Sequence, residues 1–115
     1  MPSRPILGLT EKVTIYGAQR AEEVVARIDT GATSSSIDRS LAEKLNVVEL
    51  KKSKIIKSAS GINRRSVVHG KILIKGIQLD GEFTIANRSH MTYPLLIGQN
   101  FLKKGRFLID PLKQG

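Results

Sequence analysis

Residues 26–37, Ala-Arg-Ile-Asp-Thr-Gly-Ala-Thr-Ser-Ser-Ser-Ile, place a carboxylate where an apolar run gives way to small residues. An acidic group ending a buried strand is costly unless it is hydrogen-bonded or used. Asp29 is therefore the first candidate for acid–base chemistry. Beside it, the Thr30 hydroxyl is able to hydrogen-bond across a two-fold axis. Gly31 lets a substrate backbone come close because no Cβ stands in the way, and Ala32 keeps the same floor low. The competing reading is a simple turn in which Asp29 bonds nearby N–H groups. On the tripeptide alone that reading wins, because short motifs recur by chance.

Other reactive groups are few. There is no cysteine, which excludes a thiol nucleophile, a disulfide framework and thiolate zinc sites together. His69 and His90 stand 21 residues apart and no His-Glu-x-x-His is present, so no metal site is expected, and no cofactor. Asp38 suits a helix start and Asp110 precedes Pro111, so neither competes with Asp29.

The elements that must hold these residues are mostly strands. Residues 12–16 and 23–28 alternate; 55–56, 67–68, 71–74, 82–85, 95–97 and 106–109 follow, punctuated by Gly61, Gly70, Gly76 and Gly81. This density of short strands reads as a small barrel or sandwich, and a closed, mainly antiparallel barrel is the expectation. Two short helices interrupt it. One spans 40–46, with Ser40 and Glu43 as a capping box and Asn46 as the stop. The other spans 99–104, with Lys103 and Lys104 at its negative end and Gly105 as a left-handed cap. At 115 residues and 40% hydrophobic, the chain has room for one domain over residues 1–115.

No apolar run reaches the ~18 residues of a membrane span, and residues 1–8 lack the apolar core of a signal peptide. A cytoplasmic, membrane-free protein is expected, in which the Asn87-Arg88-Ser89 sequon is idle. Nineteen Lys and Arg against ten Asp and Glu give a net charge of +9, which favours anionic partners. Nucleic acid is disfavoured, because aromatics are only 4% and the basic residues are scattered in pairs.

A second segment changes the weight of the first. Residues 93–102, Tyr-Pro-Leu-Leu-Ile-Gly-Gln-Asn-Phe-Leu, set an apolar strand before Gly98 and a helix after it. With Asp29-Thr30-Gly31-Ala32 about seventy residues upstream, the chain resembles the retropepsin family of aspartic proteases over nearly its whole length. The Ser pair after the motif and the Arg88-to-Pro94 run resemble its cellular, non-viral branch, often found beside ATP-grasp amino-acid ligases. The resemblance implies an acid-protease barrel, with Asp29 catalytic and Thr30, Gly31 and Ala32 supporting it. It also implies a flap closing over substrate at Ser58, Ala59, Ser60, Gly61 and Ile62.

One Asp-Thr-Gly motif per chain fixes the mechanism that the resemblance implies. Two carboxylates must share a proton, one activating water and the other polarising the scissile carbonyl. The second carboxylate then comes from a second copy of the chain by two-fold symmetry. Viral members carry an acid after the Ala and an Arg after the Gly, where this chain has Thr33 and Gln99; neutral hydrogen bonding is expected in place of that ion pair. Peptide is the implied substrate. Neighbouring ligases that add glutamate, together with the +9 charge, suit an acidic or glutamate-rich one. A catalytically silent domain of this fold that binds peptide or regulates a ligase is the competing function.

Overall fold

A computed structural model of the chain describes residues 3–59 and 61–114. In chain order the elements are β1 (Ile6–Leu7), β2 (Thr10–Tyr16), β3 (Ala21–Ile28), β4 (Ser35–Asp38), α1 (Arg39–Leu45), β5 (Val48–Ser58), β6 (Gly61–Ile74), β7 (Ile77–Ala86), β8 (Leu95–Ile97), α2 (Gln99–Lys104) and β9 (Leu108–Ile109). Among the described residues no helix is long and apolar enough to cross a membrane.

Six strands close the barrel in the order β2-β3-β8-β4-β7-β6, with β2 returning to β6 through Thr14↔Leu73, Ile15↔Ile72 and Tyr16↔Lys71. β5 extends the sheet beyond β6 as the outer arm of a long hairpin. Most pairings are antiparallel, as the glycine-separated strands predict. Within the barrel two pairs are parallel, β3–β8 and β4–β7, and the antiparallel β4–β8 pair lies between them. Alternation explains the core: Val13 and Ile15 of β2, Ala26 and Ile28 of β3, and Val68, Ile72 and Ile74 of β6 all point inward.

The glycines fall into two groups. Gly61 and Gly76 turn the chain at φ 118° and 74°, a region that side chains rarely adopt. Gly70 and Gly81, read from sequence as punctuation, lie inside β6 and β7 and pair with each other. A Cβ on Gly70 would lie 2.6 Å from the Phe83 ring, and one on Gly81 would lie 2.7 Å from Phe101. They are notches for that aromatic pair, whose centroids are 4.9 Å apart.

Both helix caps also differ from expectation. α1 starts at Arg39 with Asp38 as its N-cap, and the Ser40 hydroxyl bonds the Asp38 carboxylate instead of capping the helix itself. Asn46 does end it, in the left-handed conformation (φ 52°). At the end of α2, Gly105 stays right-handed and Arg106 takes the left-handed turn (φ 54°).

The two ends of the chain meet in a clasp. β1 and β9 pair in parallel, Ile6 against Leu108, and Arg4 Nε donates to the Arg106 carbonyl at 2.7 Å. Beneath them Glu11 is buried; its Oε2 accepts the Gly8 N–H at 2.7 Å and Lys113 Nζ at 2.9 Å, with Lys75 Nζ 3.6 Å from Oε1. Burial pushes this carboxyl up, but the Lys113 and Gly8 bonds and the charges of Lys113 and Lys75 together hold it below the usual range. A depressed carboxyl contributes stability above its unfolded pKa, about 4.3, and that contribution is lost as pH falls through the lower folded value. Glu11→Gln is expected to cost about 1–3 kcal/mol at neutral pH. Denaturant melts of both proteins should show this gap closing in acid. A gap that is the same at both pH values would show that the carboxylate's charge plays no part.

Candidate active site

β3 delivers Asp29 to the edge of the barrel. The Asp29 N–H donates to the Ile97 carbonyl at 2.9 Å, carrying the β3–β8 ladder one residue further. The chain then turns: Ala32 N–H reaches the Asp29 carbonyl at 3.3 Å, and Gly31 N–H reaches Asp29 Oδ1 at 2.9 Å. The local turn that the motif also allows is therefore formed, and it occupies one carboxylate oxygen. Oδ2 makes no hydrogen bond among the described residues. Asp29 is half-buried, whereas Thr30 and Gly31 are exposed. A Cβ on Gly31 would lie 3.3 Å from Asp29 Oδ1, so a side chain there would crowd the carboxylate.

Loop 30–34 rests on the start of α2. Gln99 N–H donates to the Ala32 carbonyl at 2.7 Å, and Gln99 Nε2 donates to the Thr30 carbonyl at 2.8 Å. Gln99 thus supplies neutral hydrogen bonding, but to the main chain of Thr30 and not to Thr33. Ser35 Oγ accepts the Gly98 N–H at 2.8 Å and donates to Asn100 Oδ1 at 2.6 Å; Asn100 Nδ2 in turn donates to the Glu82 carbonyl at 2.9 Å. A polar relay from β4 through α2 to β7 therefore fixes the loop that carries Asp29.

A cleft of about 760 Å³ opens between this loop and the β5–β6 hairpin. Gly31, Ala32 and Ser34 form one side, and Lys54, Lys57 and Arg65 stand on the other. Ser58 ends the outer arm, Ala59 starts the turn, and Gly61 and the exposed Ile62 begin the inner arm; Ser60 lies outside the described residues. Among the described residues, Ala59, Gly61 and Ile62 do not line the cleft, whose wall is formed further down the hairpin by Lys54, Ile55, Ile56, Lys57 and Arg65. Arg64 faces away from it and donates to Ser53 Oγ at 3.0 Å.

Sequence reasoning missed two groups near the site. The polar strand β4, buried at all four positions, has no apolar alternation to announce it. Arg88, just past β7, is buried against β4. Asp38 holds the Arg88 N–H on Oδ1 at 2.7 Å. Burial pushes the Asp38 carboxyl up, but the Ser40 hydroxyl and the N–H groups of Arg88, Ser40 and Leu41 bring it below the usual range. Asp110 stays in the C-terminal turn, accepting the Leu112 N–H at 2.9 Å. His69 sits 3.6 Å from Asp80 on the barrel exterior. Among the described residues no three acidic or histidine side chains gather as a metal site.

Comparison with known proteins bears on this arrangement. The profile of a family described as "RimB-like: Retropepsin-like aspartic endopeptidase RimB" matches residues 39–114, which begin after the Asp29 loop and include Gly98 and α2. No curated protein matches the sequence. Among solved structures, Lpg0085 of Legionella pneumophila, a protein of unknown function, superposes with a TM-score of 0.70 at 22% identity, covering 97% of both chains. EIAV protease, solved with the inhibitor HBY-793, gives 0.69 at 17% identity over 96% of this chain and 95% of its own. Simian Foamy Virus (mac) protease gives 0.59 at 17% identity over 82% and 91%. At these identities the likeness is one of fold: a mainly β, closed, mixed six-stranded barrel with two short helices, as in the retroviral proteases.

Proposed function

The chain belongs to the RimB family of retropepsin-like aspartic endopeptidases, and from that premise we propose that it cleaves peptide bonds as a homodimer in which each copy supplies Asp29. The carrying observation is the placement of Asp29. It directly follows a barrel strand beside a large cleft, has one oxygen without a hydrogen bond among the described residues, and is followed by an exposed Thr30-Gly31 surface. A single copy offers one such carboxylate, and the chemistry needs two. Across a two-fold axis the pair would share a proton, because two like charges in contact do not both ionise readily. One carboxylate would take a proton from water as it attacks, while the other donates to the carbonyl oxygen. Thr30, Gly31 and Ala32 support the pair and leave the peptide backbone room to approach.

The β5–β6 hairpin is the proposed flap, with its tip at residues 58–62. Its lysines, together with the +9 net charge, favour an acidic or glutamate-rich peptide by long-range attraction. An ATP-grasp ligase that builds such peptides is the proposed neighbour, and the cytoplasm the proposed compartment.

Dilution tests the dimer. Specific activity should fall once the protein drops below its dimer dissociation constant, and sedimentation should show monomer over the same range. Full activity from a sedimenting monomer would overturn the shared-carboxylate mechanism. A stable dimer that binds peptide and never cleaves it would favour the silent-domain reading.

A further inference from the structure

One cation in the cleft is buried with no carboxylate in ion-pair contact among the described residues. Arg88 is 8% exposed and lines the cleft wall. Nε donates to the Tyr93 carbonyl at 2.9 Å and Nη1 to Ser36 Oγ at 3.2 Å, so the guanidinium is held from two sides by neutral oxygens. Asp38 bonds the Arg88 main-chain N–H and not its side chain. Among the described residues no carboxylate forms an ion pair with the guanidinium, and Nη2 makes no hydrogen bond. A guanidinium has five N–H donors, so several remain for water or a ligand on the cleft side.

The surroundings sharpen the imbalance. Arg65 lines the same cleft, and burial followed by the Arg65 charge pushes the Arg88 pKa down, with Asp38 and Asp29 acting the other way. Ser34 Oγ, on the same cleft, is buried with no hydrogen-bond partner among the described residues. A buried charge lacking a partner is costly, and here Arg88 shares one opening with Arg65, Lys54 and Lys57. That cost falls when an anion enters. The planar fork of a fixed guanidinium matches a carboxylate, which accepts two parallel hydrogen bonds.

We propose that Arg88 determines specificity by binding the side-chain carboxylate of a glutamate or aspartate at one position of the bound peptide, with Arg65 adding charge. The inference rests on the reading of this cleft as a peptide site. It differs from attraction by Lys54 and Lys57, which acts at a distance and on every acidic residue alike.

The test moves a single Glu along an otherwise neutral peptide, each version matched with its Gln counterpart, and measures binding to the Asp29→Asn protein. At one position Glu should bind about 10–100-fold more tightly than Gln. The ratio there should persist in about 1 M salt, where exposed charges are screened beyond ~3 Å. In Arg88→Met it should fall to within about twofold, and Arg88→Lys should restore part of it. An unchanged ratio in folded Arg88→Met overturns the inference. If that variant does not melt cooperatively, the unsubstituted Arg88 protein decides: no position with a salt-resistant preference, or no peptide binding, overturns it equally. Cleavage by the wild type separates the two readings. A single-position preference without cleavage leaves the Arg88 site standing and removes the endopeptidase. Cleavage at equal rates for Glu and Gln at every position removes the Arg88 site alone.

Discussion

Asp29→Asn is expected to lower peptide cleavage by about 10²–10⁴-fold, the usual weight of a positioned acid or base, with no loss of melting temperature. The geometry separates the two effects. Asn keeps the size of Asp and an oxygen able to accept the Gly31 N–H, so the turn over residues 29–32 survives. What it lacks is the capacity to take and return a proton. If the active unit is a dimer, the variant should also act on the wild type. Equal amounts of the two, allowed to exchange, should roughly halve the wild-type activity, because half of its subunits then pair with an inert partner. Near-wild-type cleavage by the purified variant would reduce Asp29 to the turn residue that it also is.

Gly98→Ala should have the largest effect on the fold near the site. The backbone there is extended (φ −102°, ψ −169°), open to any residue, so the cost is steric and not conformational. An added Cβ would fall 2.3 Å from the Ser34 carbonyl oxygen and 2.7 Å from that of Ala32. Both are main-chain atoms and have no rotamer to escape into. Either loop 30–34 lifts away or β8 shifts, and each movement strains the Gln99-to-Ala32 and Gly98-to-Ser35 hydrogen bonds. Overpacking of this kind costs about 2–3 kcal/mol, a fall of about 10–15 °C in melting temperature. Cleavage should drop even at temperatures where the variant is folded, because the displaced loop carries Asp29. A melting temperature within ~2 °C of wild type would mean that the loop yields without strain.

What the sequence made legible follows from how locally each feature is determined. Residues 12–16, 23–28 and 95–97 read as strands because their apolar alternation reports a buried face. α2 reads as a helix because a glycine precedes it and two lysines close it. β4 is different. Ser35, Ser36 and Asp38 are buried because Asn100 and Arg88 satisfy them from 50 to 65 residues away, and no local pattern encodes such partners. The cap of α1 was ambiguous for a related reason: Asp38 and Ser40 both suit the role, and the Arg88 N–H holds the Asp38 carboxylate beside the helix start. Gly70 and Gly81 looked like turns until Phe83 and Phe101 supplied the reason for them. At the site, the Asp29 loop and Gly98 were visible through their resemblance to a known family. Arg88 was visible only as part of that resemblance, because its isolation from any carboxylate is a property of packing.

The clasp of β1 on β9 has a consequence for how the molecule is made. Its partners, Ile6 and Leu108, lie about a hundred residues apart. Closing so long a loop costs conformational entropy that a two-residue ladder does not offset by itself. The hairpins β2–β3, β5–β6 and β6–β7 join near neighbours and are able to form as the chain leaves the ribosome. β9 emerges later, and until it does Leu7 lacks the strand it pairs with and Glu11 lacks Lys113. The nascent chain thus passes through a stage in which most of the barrel is available and its seam is still open, with a charged group exposed that the finished molecule buries.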